Sequence, residues 1–105
     1  MEDIQKKFLP RFVALAKERI GNGLRVAKDA DGGDEALHLA RELHSMAGEA
    51  GLLGLGHLLS LARGAEEAAT QLHAVRSDPR RVALATALLV LQSAICNVER
   101  ELETG

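Results

Sequence analysis

A chain of 105 residues with a formal net charge of −2 and only two aromatic residues, Phe8 and Phe12, has the size of one domain, residues 1–105, around one core. It has neither the basic surface nor the stacking platform that nucleic-acid binding uses, so no nucleic-acid partner is expected. The single cysteine, Cys96, cannot close an internal disulfide, and the first residues lack the charged, apolar, small-residue order of a signal peptide. A reducing, cytoplasmic setting is the expectation.

Leu, Ala, Glu, Arg and Lys dominate while β-branched and aromatic residues are scarce, which predicts an all-α chain. Over the first thirty residues Ile4, Phe8, Phe12, Leu15, Ile20, Leu24 and Ala27 recur at helical intervals. Pro10 lies inside this run. Because proline removes a helix-interior hydrogen bond, the pattern predicts a short lead-in helix ending at Leu9 and a second helix beginning near Pro10, with one kinked helix as the alternative. Gly21 and Gly23 weaken that helix near its far end, and residues 29–33 read as a loop before an N-cap at Gly33 or Asp34.

The next helix carries Ala36, Leu39, Ala40, Leu43, Met46, Ala47 and Ala50 on one face and turns Arg41, Glu42, Ser45 and Glu49 outward. Glycines at 51, 54 and 56 break it. A further helix is predicted from about Leu55 to Val75, and a last one begins after the cap signal Ser77-Asp78-Pro79 and runs to about Glu103. The apolar stretch Val82 to Leu91, interrupted by Thr86, covers about half of a membrane-spanning length, so no membrane anchor is expected. Long helices joined by short loops pack as antiparallel neighbours. The expected architecture is an up-down antiparallel four-helix bundle with the short N-terminal lead-in helix.

If the two middle helices form an antiparallel pair turning about residue 55, residues at equal height have numbers that add to about 110, because both helices share one rise per residue. His44 then stands level with Glu66, and Ala47 with Arg63. A slip of one residue would offer Glu67 instead. A carboxylate accepting the Nδ1–H of a neutral imidazole fixes the tautomer and leaves the Nε2 lone pair outward, as a nucleophilic histidine requires. Gly48, one turn beyond His44, costs about 1 kcal/mol relative to alanine in a helix interior. The space it leaves lets a group on His44 and a partner's active site approach.

The stretch His44-Ser-Met-Ala-Gly48, followed by Gly54, Leu58 and Glu66, resembles the signature of histidine phosphotransfer domains, including the phosphorylated N-terminal domain of chemotaxis histidine kinases. The resemblance implies a four-helix bundle with His44 exposed midway along a helix and phosphorylated. It also implies partners: a response-regulator receiver domain, a histidine kinase catalytic domain, or both, with Mg²⁺ held by the partner and no cofactor on this chain. Its one departure is Ala47, where the family usually has a lysine that favours the incoming phosphoryl charge. Arg63, level with Ala47, is a candidate substitute. Gly48, Gly51, Leu52 and Leu55 are the candidate docking residues.

No phosphate-binding loop of the Gly-x-x-x-x-Gly-Lys type and no serine nucleophile elbow occurs, so phosphate from ATP would need a partner kinase. Glu35 and His38 have the Glu-x-x-His spacing of di-iron bundles, but such sites use a second copy of it, and no metal site is expected. His38, His57 and His73 read as solvated or capping residues. The rival to a phosphoryl carrier is a non-catalytic helical module that binds a receiver or dimerises without being phosphorylated. A monomer is expected, with the apolar fourth helix as the route to a dimer.

Overall fold

The computed structural model describes residues 3–29 and 34–104. These form four helices, α1 (Asp3–Lys28), α2 (Glu35–Leu52), α3 (Gly56–Ala74) and α4 (Asp78–Thr104). Each packs against the next in sequence and α4 closes back on α1, with no packing across either diagonal among the described residues. The result is the up-down four-helix bundle, 43 × 21 × 17 Å.

The lead-in helix and its successor are one helix: α1 runs unbroken through Pro10. Pro10 is exposed and Lys6, whose carbonyl loses its partner, is exposed too, so water can satisfy that oxygen. Buried Leu9, Phe12 and Val13 hold both sides of the proline to the core. The inward face is Leu9, Phe12, Val13, Ala16, Ile20, Val26 and Ala27, one position out of step with the expected stripe at its start. Phe8 is 48% exposed, and the side chain of Ile4 lies outside the described residues. Gly23 has a packing role rather than a weakening one. An added Cβ would come within 2.8 Å of Leu88 Cδ1 and 3.2 Å of Leu39 Cδ1, so the glycine lets α1 approach α4 and α2 closely.

On α2 every expected core residue is buried, from Ala36 to Ala50. Asp34 holds the N-cap position without a side-chain cap bond, its carbonyl accepting the His38 N–H at 3.1 Å. Gly33 lies outside the described residues. At the other end Gly54 adopts φ +75°, a left-handed conformation suited to glycine. The Leu55 N–H donates to the Ala50 carbonyl at 2.8 Å and the Gly54 N–H to that of Gly51 at 3.1 Å, the paired bonds of a Schellman turn. Gln5 Nε2 also donates to the Leu53 carbonyl, anchoring the turn to α1.

Ser77 caps α4: its Oγ accepts the Arg80 N–H at 3.3 Å, placing Pro79 second in the helix rather than first. Leu84, Leu88, Leu91 and Ile95 form the buried row of α4. By length and composition alone α4 is also long and apolar enough to cross a membrane, since Ala94, Ile95, Cys96 and Val98 carry the uncharged run past Leu91.

Candidate functional site

The α2–α3 hairpin, pinned by the Gly54 turn, places His44 and Glu66 side by side, with His44 Nδ1 3.1 Å from Glu66 Oε2. Glu67, the residue a slipped register would have used, accepts a bond from Gln71 on its own helix instead. An ionised carboxylate only accepts, so the shared proton belongs to His44 Nδ1, and whenever the ring is neutral its lone pair is on Nε2. The His44 side chain is 78% exposed, against 29% for Glu66. Nε2 makes no hydrogen bond to any described residue. A distal nitrogen with a free lone pair, held in direction from behind, can attack an electrophile delivered from outside the bundle.

His38 supplies an internal control. It is as exposed as His44, but it meets Glu42 of its own helix through Nε2, at 2.9 Å. Its outer nitrogen is thereby engaged. Exposure is common to both histidines; which nitrogen the carboxylate engages is not.

Arg63 is exposed, one turn before Glu66 on α3, and makes no hydrogen bond or ion pair with a described residue. Its guanidinium therefore stands outside the His44–Glu66 pair, uncommitted to any described residue. Ala47 is buried in the core, so a lysine there would have to thread its stem past packed side chains before its ammonium reached water. Gly48 is exposed, and an added Cβ would meet nothing within 4 Å. No described residue requires glycine there.

Of the remaining candidate docking residues, Gly51 and Leu52 are exposed, Leu52 to 88%, while Leu55 is half-buried against the core. Leu52 borders a shallow groove of about 450 Å³ between α1 and α2, whose other apolar walls include Phe8, Phe12 and Leu15. Phe8 was not among the expected docking residues. Its adjacency to Leu52 depends on which of two overlapping apolar stripes α1 turns inward, and only packing decides that. At the rim, Arg19 pairs with Glu49 at 2.7 Å and fixes α1 against α2.

No family model, no curated protein and no solved structure matches this chain. What the site can do therefore rests on its geometry.

Proposed function

We propose that the chain is a phosphoryl carrier of two-component signalling, accepting the group on His44 and passing it to the aspartate of a receiver domain. The observation that carries this reading is the Glu66 carboxylate on His44 Nδ1 with Nε2 open to solvent. The donor is an aspartyl phosphate on a receiver, or ATP bound by a histidine kinase catalytic domain. The Nε2 lone pair attacks phosphorus, the P–O bond to the leaving oxygen breaks, and the carboxylate or ADP departs with the bonding electrons.

The Nδ1 proton stays in place, so the phosphorylated ring carries positive charge and Glu66 lies against it. That charge-assisted contact stabilises the intermediate and holds its direction. Attack by a receiver aspartate then breaks the N–P bond and restores the neutral ring. Any Mg²⁺ belongs to the partner, while this chain contributes position and an accessible nucleophile. The chain's near-neutral balance of charge and the Leu52–Phe8 groove suit a transient contact of modest area.

Incubation with phosphorylated receivers, and with kinase domains and ATP, tests the reading. The expected product on wild type is acid-labile and alkali-stable, as a phosphoramidate is, and His44→Gln stays unlabelled. Label on His44→Gln, or none on wild type from any donor, would remove the proposal. The second reading, a module that docks a receiver without carrying phosphate, is favoured by Ala47, where no cation stands. Receiver binding without label transfer would establish it.

A further inference from the structure

The outward faces of the helices differ in one respect. On α1 they carry Lys7, Arg11, Lys17 and Arg25, and on α3 Arg63 and Glu67. On α4 no Asp, Glu, Lys or Arg occurs from Val82 to Val98. Within that span Leu84, Leu88, Leu91 and Ile95 face inward, yet Val82, Leu89 and Val90 are exposed. Leu24 and Ala27 of α1 continue this apolar surface as one wall of a groove of about 540 Å³ beside Val82 and Leu89.

Charge returns at the two ends, with a particular symmetry. Asp78 precedes Leu89 by eleven residues and Arg100 follows it by eleven. Eleven residues are about three helical turns, so Asp78, Leu89 and Arg100 stand on nearly one line along α4. Val82 and Cys96, seven residues either side, fall on the same line to within about 20°. Asp78, which pairs with Arg81 of its own helix at 3.3 Å, stands at one end of the line and Arg100, which donates to Asn97, at the other, with apolar residues between.

We propose that this face binds a second copy of the chain, the two α4 helices packing antiparallel across a two-fold axis at Leu89. Leu89 meets its own counterpart, Val82 meets Cys96 of the second copy, and Asp78 faces Arg100 of the second copy at both ends. The same operation carries Glu103 toward the end of the groove where Lys28 stands. A parallel pair would instead set Asp78 against Asp78 and Arg100 against Arg100.

A two-fold interface uses one patch on both copies, so a patch whose charge reverses about its own centre is complementary to itself. The line from Asp78 to Arg100 is about 33 Å long and, with the α1 wall, about two helix diameters wide. That footprint, on the order of 700 Å², approaches the roughly 800 Å² per partner of a standard interface. Because α4 does not pack against α2, the pairing leaves both His44 rings clear, and it stands or falls independently of phosphoryl carriage.

Sedimentation equilibrium from micromolar to near-millimolar chain tests the pairing, with thermal melts to verify folding. Wild type is expected to dimerise, and Leu89→Arg, which sets two cations together on the axis, to remain monomeric at every concentration. Arg100→Asp should weaken the dimer about tenfold, and the exchange Asp78→Arg with Arg100→Asp should restore it. A wild type that stays monomeric, a dimer that survives Leu89→Arg, or an exchange that fails to restore would each overturn the proposal. So would monomeric wild type cosedimenting with phosphatidylcholine vesicles, which would assign this face to lipid.

Discussion

His44 and Glu66 are 22 residues apart in sequence and 3.1 Å apart in space, so the direction of the histidine's outer nitrogen is set by how α2 lies against α3. Removing the carboxylate frees the ring to rotate and to exchange tautomers. Glu66→Ala is expected to slow phosphorylation of His44 by about tenfold, the loss of one charge-assisted hydrogen bond of about 1.5 kcal/mol. Glu66→Gln, which still accepts from Nδ1 but without charge, should fall between. Because His44 is solvent-exposed and Glu66 only half-buried, the pair is screened by water and both variants should melt near wild type. Initial rates of label transfer from a phosphorylated receiver check the ordering, and an Ala variant as fast as wild type would show that Glu66 does not orient the ring.

Arg63 has no hydrogen bond or ion pair with a described residue and is close in height to the site, whereas Arg41 is an exposed arginine a turn before His44 on α2 itself. If Arg63 supplies the cation that Ala47 does not, Arg63→Ala should reduce the phosphorylation rate several-fold, about 1 kcal/mol of partly screened attraction, with Arg41→Ala nearer wild type. Equal losses in the two variants would assign the effect to general surface charge.

Gly48 offers opposite signs in two measurements. A methyl group there touches no described residue, so Gly48→Ala should raise stability by up to about 1 kcal/mol in denaturant unfolding through helix propensity alone. The same methyl occupies space beside His44 that a partner's active site would enter, so phosphoryl transfer should slow. A variant both more stable and fully active would show that partners do not approach over Gly48.

Lys17 Nζ lies 3.1 and 3.0 Å from the two oxygens of Glu99. The hydrogen bond to Glu99, and then its negative charge, raise the Lys17 pKa above the ordinary 10.5. A raised lysine pKa adds stability that is fully present below the unfolded-state value and disappears as pH climbs through the folded one. The difference in melting temperature between wild type and Lys17→Met should therefore be constant through neutral pH and shrink in the alkaline range above 10.5. A difference that grows there would contradict the assignment.

The register of the central hairpin was legible because it depends on little. Gly51, Gly54 and Gly56 mark the turn, and two helices of equal rise do the rest, so Glu66 could be paired with His44 by counting. The core face of α2 was legible for a related reason: its polar residues leave one choice of inward stripe. On α1 the neighbouring pairs Phe8-Leu9 and Phe12-Val13 allow two stripes a position apart, and contact with α2 and α4 selects the one that leaves Phe8 outside. Pro10 looks like a boundary to local rules, which weigh its lost hydrogen bond and not the buried neighbours that hold the helix across it. On α4 a nearly continuous apolar run has no periodicity, so which of Leu88, Leu89 and Val90 reach solvent could not be read before the other helices were in place.

The turn at Gly54 acts at a distance. Helical residues follow one another at about 100°, so adding or deleting a single residue between 53 and 55 would swing every α3 side chain by that angle while leaving the bundle's composition nearly unchanged. Glu66 would then face away from the imidazole. Three residues with no chemistry of their own serve as the alignment key of the site, and a loop-length variant could fold well and still lose it.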